Sequence, residues 1–330
     1  MILSAMAKKY PPFEITSDIL TLSQRISREL GHISGSKKEN VPVILRRINS
    51  IKTIQASLAI EGNTLDVNQI SAIFEGKRVV GAKRDIDEAK NALEVYRQLS
   101  SFNPLHIKDL LKAHSIMMKG FLSEIGCFRS KGVGVFNGSH VVHMAPPAKM
   151  VAQLMEKLFV FLNQSSDLPW LIKACIFHYE LEFIHPFSDG NGRMGRLWQH
   201  LLLFKEDPIF EYVPVETLIR DNQQEYYSTL GQCDKEGEST RFIVFSLEQI
   251  LAALLSFQKQ TTRVGSPEER LVFARFKLGL KKFSRKDYLL IHDDISTATA
   301  SRDLEYGVKH NLIEQSGIKN QAQYSFVNER

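Results

Sequence analysis

One stretch of twelve residues combines side chains that could together handle a phosphorylated ligand. It reads His185-Pro-Phe-Ser-Asp-Gly-Asn-Gly-Arg-Met-Gly-Arg196 and lies between two segments with helical periodicity. Gly190 and Gly192 have no Cβ, so the backbone can turn sharply there and approach a ligand closely. A helix that begins at Gly192 directs its unpaired N–H groups and the positive end of its dipole into that turn, which suits a phosphate group.

The turn is flanked by charged and titratable side chains of the types that group-transfer reactions use. Arg193 and Arg196 stand three positions apart and offer two guanidinium forks for phosphate oxygens. Asp189 supplies a hard oxygen ligand for Mg²⁺ bridged to the same phosphates. His185 can accept a proton near neutral pH. This combination predicts phosphoryl or nucleotidyl transfer, because a tight inter-helix turn with a core histidine and two surface arginines would not need every one of these residues.

The string matches the signature H-x-F-x-[D/E]-G-N-G-R-x-x-R of the Fic (filamentation induced by cAMP) family at each specified position. The sequence therefore resembles Fic proteins, and the resemblance covers roughly residues 8 to 250. Proteins of this family are typically adenylyltransferases, which move AMP from ATP onto a Ser, Thr or Tyr hydroxyl of a target protein. A kinase-like variant of the fold has lysine in place of the second glycine, and Gly192 argues against that variant.

The resemblance implies a role for each residue of the motif, with ATP and Mg²⁺ as the cofactors. His185 would deprotonate the target hydroxyl for attack on the α-phosphorus, and Asp189 would hold Mg²⁺. Arg193 and Arg196 would neutralise the developing charge and the charge of the γ-phosphate. The other residues assigned to nucleotide binding are Gly190, Asn191, Gly192, Met194 and Gly195, of which Asn191 is also assigned to catalysis.

A second motif lies upstream in residues 57–63, where Ser57-Leu-Ala-Ile-Glu61-Gly62-Asn63 matches the family's inhibitory signature [S/T]-x-x-x-E-[G/N]. Its N-terminal position is that of the second of three family classes, in which the glutamate reaches the second arginine of the motif. The resemblance implies that Glu61 pairs with Arg196, so that ATP binds in a non-productive pose. Taken alone, the string would fit a helix end with a solvated glutamate and a glycine stop.

Residues 133–144 carry a strand pattern rather than a helical one. β-Branched and aromatic residues on both sides of Asn137-Gly138 predict a β-hairpin, which by itself could simply connect two helices. The resemblance makes this hairpin a flap that aligns the target segment by strand addition. The residues expected to clamp the target are Val141, Val142 and His143.

Several aromatic and histidine side chains outside the motif are candidates for supporting roles. Tyr227 lies where Fic proteins carry an aromatic residue on the adenine side, although packing into the core is an equal alternative. His178 is seven residues before His185, on the same helix face, and is expected to be a core histidine or one that supports the site. The histidines without metal-ligand spacing are His114, His140 and His200.

Helical periodicity dominates the segments that must position these motifs. A first helix is expected after Pro11-Pro12, with a stop at Gly31. The further segments with helical patterns are 43–60, a short helix capped by Asp66, 85–99, 150–162, 169–183 and 192–204. The segment 258–265 is the expected linker to a tail of different character.

The tail, residues 266–330, shows three helical patterns followed by a hairpin pattern, which is the winged-helix order. The tail contains 11 Lys/Arg against 9 Asp/Glu, so its net charge is small. Its third helix carries four hydroxyl side chains and one arginine that could contact DNA phosphates or base edges: Ser296, Thr297, Thr299, Ser301 and Arg302. Acidic residues around that helix would repel a phosphate backbone: Asp293, Asp294, Asp303 and Glu305. A protein-interaction or dimer-supporting role is therefore favoured over DNA binding.

Composition sets the remaining limits. The 330 residues include 42 basic and 37 acidic side chains and are 43% hydrophobic, as in ordinary globular proteins rather than disordered regulators. No uninterrupted apolar run approaches the roughly 20 residues that cross a bilayer, and the N-terminus lacks the order of a secretory signal. Three cysteines far apart exclude a disulfide framework and a CxxC site. A reducing cytoplasm and no membrane association are expected.

These observations predict a mainly α-helical protein with three parts: an inhibitory N-terminal region (1–100), a Fic catalytic core (101–257) and a winged-helix domain (266–330). The predicted function is protein adenylylation, with a hydroxyl-bearing protein as substrate and a homodimer as assembly. Two alternatives remain at this point. One is a transcriptional regulator whose nucleotide site only senses ATP, and the other is an enzyme of the same fold that removes AMP from targets.

Overall fold

The computed structural model describes residues 11–35, 43–137, 140–165, 167–263, 266–279, 281–292, 295–317 and 322–327. Within these ranges the chain forms fourteen α-helices and two separate two-stranded sheets, which confirms the mainly helical prediction. The chain divides into two compact units: a larger one that contains most residues up to Leu255, and a smaller one from Ser256 onward. The finer three-part division expected from the sequence stays a prediction.

Eleven of the described helices form the larger unit, and the last of them continues into the first residues of the smaller unit. They are α1 (Ser17–Gly35), α2 (Val43–Ile60), α3 (Val67–Phe74), α4 (Lys83–Arg97), α5 (Ile107–Met117), α6 (Ala148–Gln164), α7 (Trp170–Ile184), α8 (Asn191–Glu206), α9 (Val215–Asp221), α10 (Gln223–Glu236) and α11 (Thr240–Arg263). Two short 3₁₀ helices lie at Leu99–Ser101 and Pro208–Tyr212.

Two helix boundaries differ from the expected ones, and for the first of them the reason is that the apolar face continues past the expected stop. α1 runs through Gly31 to Gly35, since Ile33 extends its buried face and is only 7% exposed. The expected linker at 258–265 is helical as far as Arg263. A third boundary is as expected: Asp66 caps α3, accepting from the backbone N–H of Gln69, whose side chain in turn accepts from the Asp66 N–H.

α7 and α8 form the centre of the larger unit. α7 is apolar on all sides and almost entirely buried, as expected for a helix enclosed by others. Phe177 of α7 packs against Trp198 of α8, with ring centroids 6.4 Å apart, and both side chains are fully buried. The turn between these two helices, residues 185–190, is the first half of the twelve-residue motif, and the second half, residues 191–196, begins α8. The motif is therefore fixed at both ends by this packing.

The hairpin expected before the motif consists of β1 (Gly134–Asn137) and β2 (His140–Met144), paired antiparallel with Gly134 opposite Met144. The register shifts between Val135 and Phe136, which indicates a bulge. The predicted turn residue Gly138 and the side chains of residues 134–143 lie outside the described part of the chain.

The smaller unit continues with α12 (Pro267–Leu278), α13 (Arg285–Ile291), α14 (Thr297–Lys309), β3 (Ile313–Ser316) and β4 (Gln323–Phe326). The two strands pair antiparallel with Ile313 opposite Phe326. The unit has a core of its own, formed by Leu271, Ala274, Phe283, Tyr288, Ala300, Leu304, Ile313 and Phe326.

One helix passes a length and hydropathy test for a membrane span. It covers Thr240–Lys259, where the charged Arg241 and Glu248 interrupt the apolar residues, so it is not an uninterrupted apolar run. Within the most apolar stretch of that helix, 67% is buried inside the protein, a pattern that core helices of globular proteins share.

Candidate active site

The motif begins at the C-terminal end of α7 with a residue in an unusual backbone conformation. His185 has φ 49° and ψ 59°, the left-handed region, and it directly precedes Pro186. A non-glycine residue held there costs about 1–3 kcal/mol, so the surrounding contacts must enforce it. His185 Nδ1 lies 3.3 Å from the Glu182 carbonyl oxygen, which places the ring proton on Nδ1 and leaves Nε2 as the acceptor nitrogen.

The turn that follows is held by its own asparagine. The Asn191 side chain accepts from the Phe187 backbone N–H at 2.8 Å and donates to the Phe187 carbonyl at 2.9 Å. Asn191 is only 2% exposed, and both ends of its amide hold the loop closed. Its role in nucleotide binding stays a prediction. Gly190 has φ 86°, and a Cβ there would lie 2.7 Å from Met118 Sδ, so the position requires glycine.

The first motif arginine is buried and paired within the protein. Arg193 Nη1 donates to Glu88 Oε1 and Nη2 donates to Asp189 Oδ1, both at 3.1 Å. Glu88 also accepts from the amide of Asn63 at 3.0 Å. The guanidinium of Arg193 thus positions the carboxylate of Asp189 and, through Glu88, connects it to Asn63, the last residue of the inhibitory motif. Phosphate contact by Arg193 stays a prediction.

The second motif arginine contacts the inhibitory motif directly. Arg196 Nη2 donates to Glu61 Oε1 at 2.7 Å and to the Ser57 carbonyl at 3.0 Å, and Nε donates to Ser57 Oγ at 3.1 Å. Burial would lower the pKa of this guanidinium, but Glu61 and other acidic neighbours outweigh burial and raise it. Nη1 is buried and has no hydrogen-bond partner within the described residues.

The unpartnered nitrogen faces the start of α8. A Cβ placed on Gly192 would lie 3.1 Å from Arg196 Nη1 and would overlap Glu61 Oε1. Gly192 is thus the position where a side chain would fill the space beside the arginine. A buried donor of this kind at a helix N-terminus fits an anion such as a phosphate.

A cavity of about 150 Å³ opens at this point. Its lining includes the predicted base His185, the predicted phosphate ligand Arg196 and the inhibitory carboxylate of Glu61. Gly192 of the predicted phosphate turn and Tyr227, the predicted adenine-side aromatic, also line it. Tyr227 is 44% exposed, so it is accessible from this cavity. A larger cavity of about 520 Å³, beside Trp170 and Lys173, contains no residue of the motif.

Asp189 is the predicted magnesium ligand. Its carboxylate accepts from the Gly190 backbone N–H at 2.6 Å and from Arg193, and its side chain is 43% exposed. The described ranges contain no group of three or more His, Cys, Asp or Glu residues that could hold a metal. Mg²⁺ is usually bound by one or two carboxylates together with substrate phosphates and waters, so one exposed carboxylate beside an anion cradle fits it.

Two buried histidines support the site from behind. His178 is fully buried between Gln199 Oε1 at 2.6 Å and the Tyr226 hydroxyl at 3.0 Å, and burial lowers the pKa of its imidazole to about 3. His114 stacks on Phe187 with ring centroids 3.8 Å apart and lies 3.1 Å from the Asp189 carbonyl oxygen. Burial also lowers the pKa of His114.

The structure brings the two motifs together but leaves other predicted residues untested. Met194 is fully buried in the core, and Gly195 packs against His178, where a Cβ would lie 2.9 Å from Cδ2. The side chains of Val141, Val142 and His143 lie outside the described part.

Sequence reasoning missed Glu88 and Arg129, and it considered His114 only as a metal ligand, without its contact to the Asp189 carbonyl. For Glu88 a signal exists, since it is a carboxylate on the face of α4 that also buries Ala92 and Val95. For Arg129, which lies outside the regular elements, no pattern was available.

Comparison with solved structures and a family model connects this geometry to known proteins. A model of the Fic/DOC family matches residues 104–203. A Fic family protein from Desulfovibrio desulfuricans G20 is 38% identical with a TM-score of 0.73, and the match covers 97% of this chain and 99% of that one. Fic-1 from C. elegans, 21% identical with a TM-score of 0.60 over 75% of this chain and 72% of its own, shares the fold.

Curated relatives match a shorter part. A "Protein adenylyltransferase Fic" from Culex quinquefasciatus is 31% identical over 205 residues, which is 59% of this chain and 39% of the relative. The protein of the same name from Drosophila willistoni is 34% identical over 203 residues, 58% of this chain and 38% of the relative. The chain thus spans about two fifths of the length of the curated relatives it matches. From the match along nearly the full length of the Desulfovibrio protein, the chain belongs to the Fic/DOC family.

Proposed function

We propose that this protein is an adenylyltransferase that moves AMP from ATP to a hydroxyl group of a protein substrate. The observation that carries the proposal is the buried Arg196, whose Nη1 has no partner in the described structure and lies beside the Gly192 cradle and His185. The relatives named adenylyltransferase support the same reaction, and they do not favour a sensor or an AMP-removing enzyme.

The chemistry follows from the arrangement of the chain's own residues. Nε2 of His185 takes the proton of the target hydroxyl, whose oxygen forms a bond to the α-phosphorus of ATP. The bond between that phosphorus and the bridging oxygen breaks, and pyrophosphate leaves. The N-terminus of α8 and Arg196 stabilise negative charge on the phosphates, which is the main contribution a protein can make to such a transfer.

Asp189 is the residue that would hold Mg²⁺ in this proposal. When bound, the ion neutralises phosphate charge and orients the triphosphate. Arg193 keeps the Asp189 carboxylate in place, since the two groups are 3.1 Å apart, and Glu88 holds Arg193 in turn.

We infer that Glu61 holds this activity low. Its carboxylate is bonded to Arg196 and lies where a γ-phosphate would meet the guanidinium. The cavity of about 150 Å³ is also too small for a nucleotide, since pockets for small-molecule ligands usually measure about 300–1,000 Å³. Displacement of Glu61 would both release the guanidinium and enlarge the cavity.

The experiment is intact-mass measurement of the purified chain after incubation with ATP and Mg²⁺. Glu61→Gly is expected to gain one adenylyl group per modified site, with wild type gaining far less. Glu61→Gly combined with His185→Ala is the matched control and should gain none. Equal AMP incorporation by wild type and Glu61→Gly would contradict inhibition by Glu61. No AMP incorporation in any variant would contradict the proposed adenylyltransferase activity.

For the smaller unit, we infer a winged helix used for protein contacts. The order of three helices and a hairpin supports this, as do the exposed apolar side chains of Val272 and Leu290. Of the acidic residues counted against DNA binding, Asp303 is buried and paired with Arg270, while Glu305 is exposed. Asp293 and Asp294 lie outside the described residues. A gel shift with duplex DNA tests the inference, since a shift lost on Arg302→Ala would contradict it.

The homodimer and the cytoplasmic location stay predictions.

A further inference from the structure

Arg129 lies between the motif and the hairpin, and neither of the two sequence motifs includes it. Its side chain is only 3% exposed. In the described residues no carboxylate lies within ion-pair distance of it, unlike the paired arginines of the motif. A buried guanidinium without a carboxylate must be satisfied by backbone carbonyls.

The carbonyls that satisfy it come from three separate places. Nε donates to the His185 carbonyl at 2.7 Å, and Nη2 donates to the Ile184 carbonyl at 3.3 Å. Nη1 donates to the Lys131 carbonyl at 2.9 Å, and Nη2 also donates to the Pro146 carbonyl at 2.6 Å.

The backbone extends the same connection, since the Arg129 N–H donates to the Pro186 carbonyl at 2.9 Å. Lys131 precedes β1 and Pro146 follows β2, so one side chain bonds both ends of the hairpin and the residue in the left-handed conformation. No other side chain among the described hydrogen bonds contacts both ends. A lysine could not reproduce this arrangement, because its donors all sit on one nitrogen rather than on a planar fork.

We propose that Arg129 is a positioning residue that holds His185 in its left-handed conformation and fixes the two ends of the hairpin to it. This inference rests on the proposed function where it concerns catalysis: if a target segment adds to the hairpin as a strand, Arg129 sets the distance between the target hydroxyl and the imidazole. Arg129 touches neither the reacting atoms nor the nucleotide cavity, so its effect passes through His185.

The first measurement does not depend on activity. Hydrogen–deuterium exchange is compared between the full-length chain and Arg129→Lys, with Arg241→Lys as control, because Arg241 is an exposed arginine paired with Glu236 on the surface. Peptides covering 129–133, 144–147 and 184–187 are expected to exchange several-fold faster in Arg129→Lys, while peptides within α11 are unchanged. Unchanged exchange at either the hairpin ends or the His185 segment would overturn the proposal.

The second measurement uses the Glu61→Gly chain and its automodification with ATP. Adding Arg129→Lys is expected to lower kcat by about 10–100-fold while KM for ATP stays within about twofold, since a misplaced base costs rate and not nucleotide affinity. An unchanged kcat, or a joint loss of kcat, ATP affinity and thermal stability, would overturn the positioning role. If Arg129→Lys does not fold, Arg129→Gln replaces it in both measurements.

The two measurements separate the possible failures. A Glu61→Gly parent without any AMP incorporation contradicts the proposed function, and the exchange result then decides the role of Arg129 alone.

Discussion

Two arginines, one in each unit, are held in opposite ways: Arg196 is buried, and the side chain of Arg270 is 14% exposed. Arg270 of α12 faces Asp303 of α14 with two parallel hydrogen bonds, Nε to Oδ2 at 2.5 Å and Nη2 to Oδ1 at 2.6 Å, and Tyr288 donates to the same carboxylate. Arg196 reaches its carboxylate through Nη2 alone and keeps Nη1 without a partner in the described structure.

The Arg270–Asp303 contact fits a role in stability, and the Arg196–Glu61 contact fits the proposed binding of a phosphate. A bidentate pair uses the whole fork of the arginine and leaves little for a ligand. A guanidinium with an unused buried donor loses free energy in the folded protein, and a phosphate can recover it. In the smaller unit the described residues show no buried side-chain atom without a partner. In the larger unit such atoms occur at Arg193, Arg196 and Glu216, and also outside the motif at Ser23, Thr53, Tyr96 and Thr217.

The largest expected effect is a loss of AMP transfer that leaves the stability of the larger unit nearly unchanged. His185→Ala in the Glu61→Gly chain should lower AMP transfer by about 10²–10⁴-fold, because the general base is lost. The unfolding free energy of the larger unit should change by less than about 1 kcal/mol, since the imidazole is only partly buried and the substitution keeps the backbone bonds. Urea unfolding followed by tryptophan fluorescence measures this unit, since both tryptophans, Trp170 and Trp198, lie in it. Equal losses of activity and stability would break the comparison.

The next effect is a loss of stability in the smaller unit. Asp303→Asn should destabilise it by about 3 kcal/mol, the lower end of the range for a buried pair, because the partly buried Arg270 loses the counter-charge of the buried Asp303. Hydrogen exchange of peptides in α12 and α14 measures the loss. Glu305→Gln is the matched control on the same helix, where an exposed carboxylate should matter by no more than about 0.5 kcal/mol. If the two variants behaved alike, the Arg270–Asp303 pair would not be the stabilising contact.

Much of this comparison could be predicted from the sequence, and the reasons for the rest are physical. The motif is local, so the types and spacing of residues 185–196 predict the turn, the helix start and the chemistry. The pairing of Glu61 with Arg196 came from the resemblance. The contacts of Arg193, Arg129 and Asp303 join positions far apart in the chain, and neither period nor propensity fixes such contacts. Asp303 thus counted as a surface charge although it faces Arg270.

A smaller effect concerns pH, through His178 in the larger unit. Burial lowers the pKa of this imidazole from 6.5 to about 3, so below pH 6.5 the unfolded chain binds a proton that the folded chain does not. Stability therefore falls as pH drops from about 6.5 toward 3, by a few kcal/mol in total. The variant His178→Gln lacks this titration. The difference in unfolding free energy between wild type and variant should shrink over that range, and a difference that is constant with pH would contradict the buried neutral state.

The smallest effect tests whether burial, rather than the presence of a carboxylate, decides what an arginine contributes. Two arginines form ion pairs with Glu88. Nη1 of the buried Arg193 lies 3.1 Å from Glu88 Oε1, and Nε of Arg84, whose side chain is 70% exposed, lies 3.7 Å from the same oxygen. Arg84→Ala should change the unfolding free energy of the larger unit by less than about 1 kcal/mol, because solvent and salt screen an exposed pair. The change should vanish in high salt, as tryptophan-detected urea unfolding with and without added sodium chloride would reveal. A salt-independent loss of several kcal/mol would mean that Glu88 needs both arginines, and that the exposed one takes part in holding Asp189.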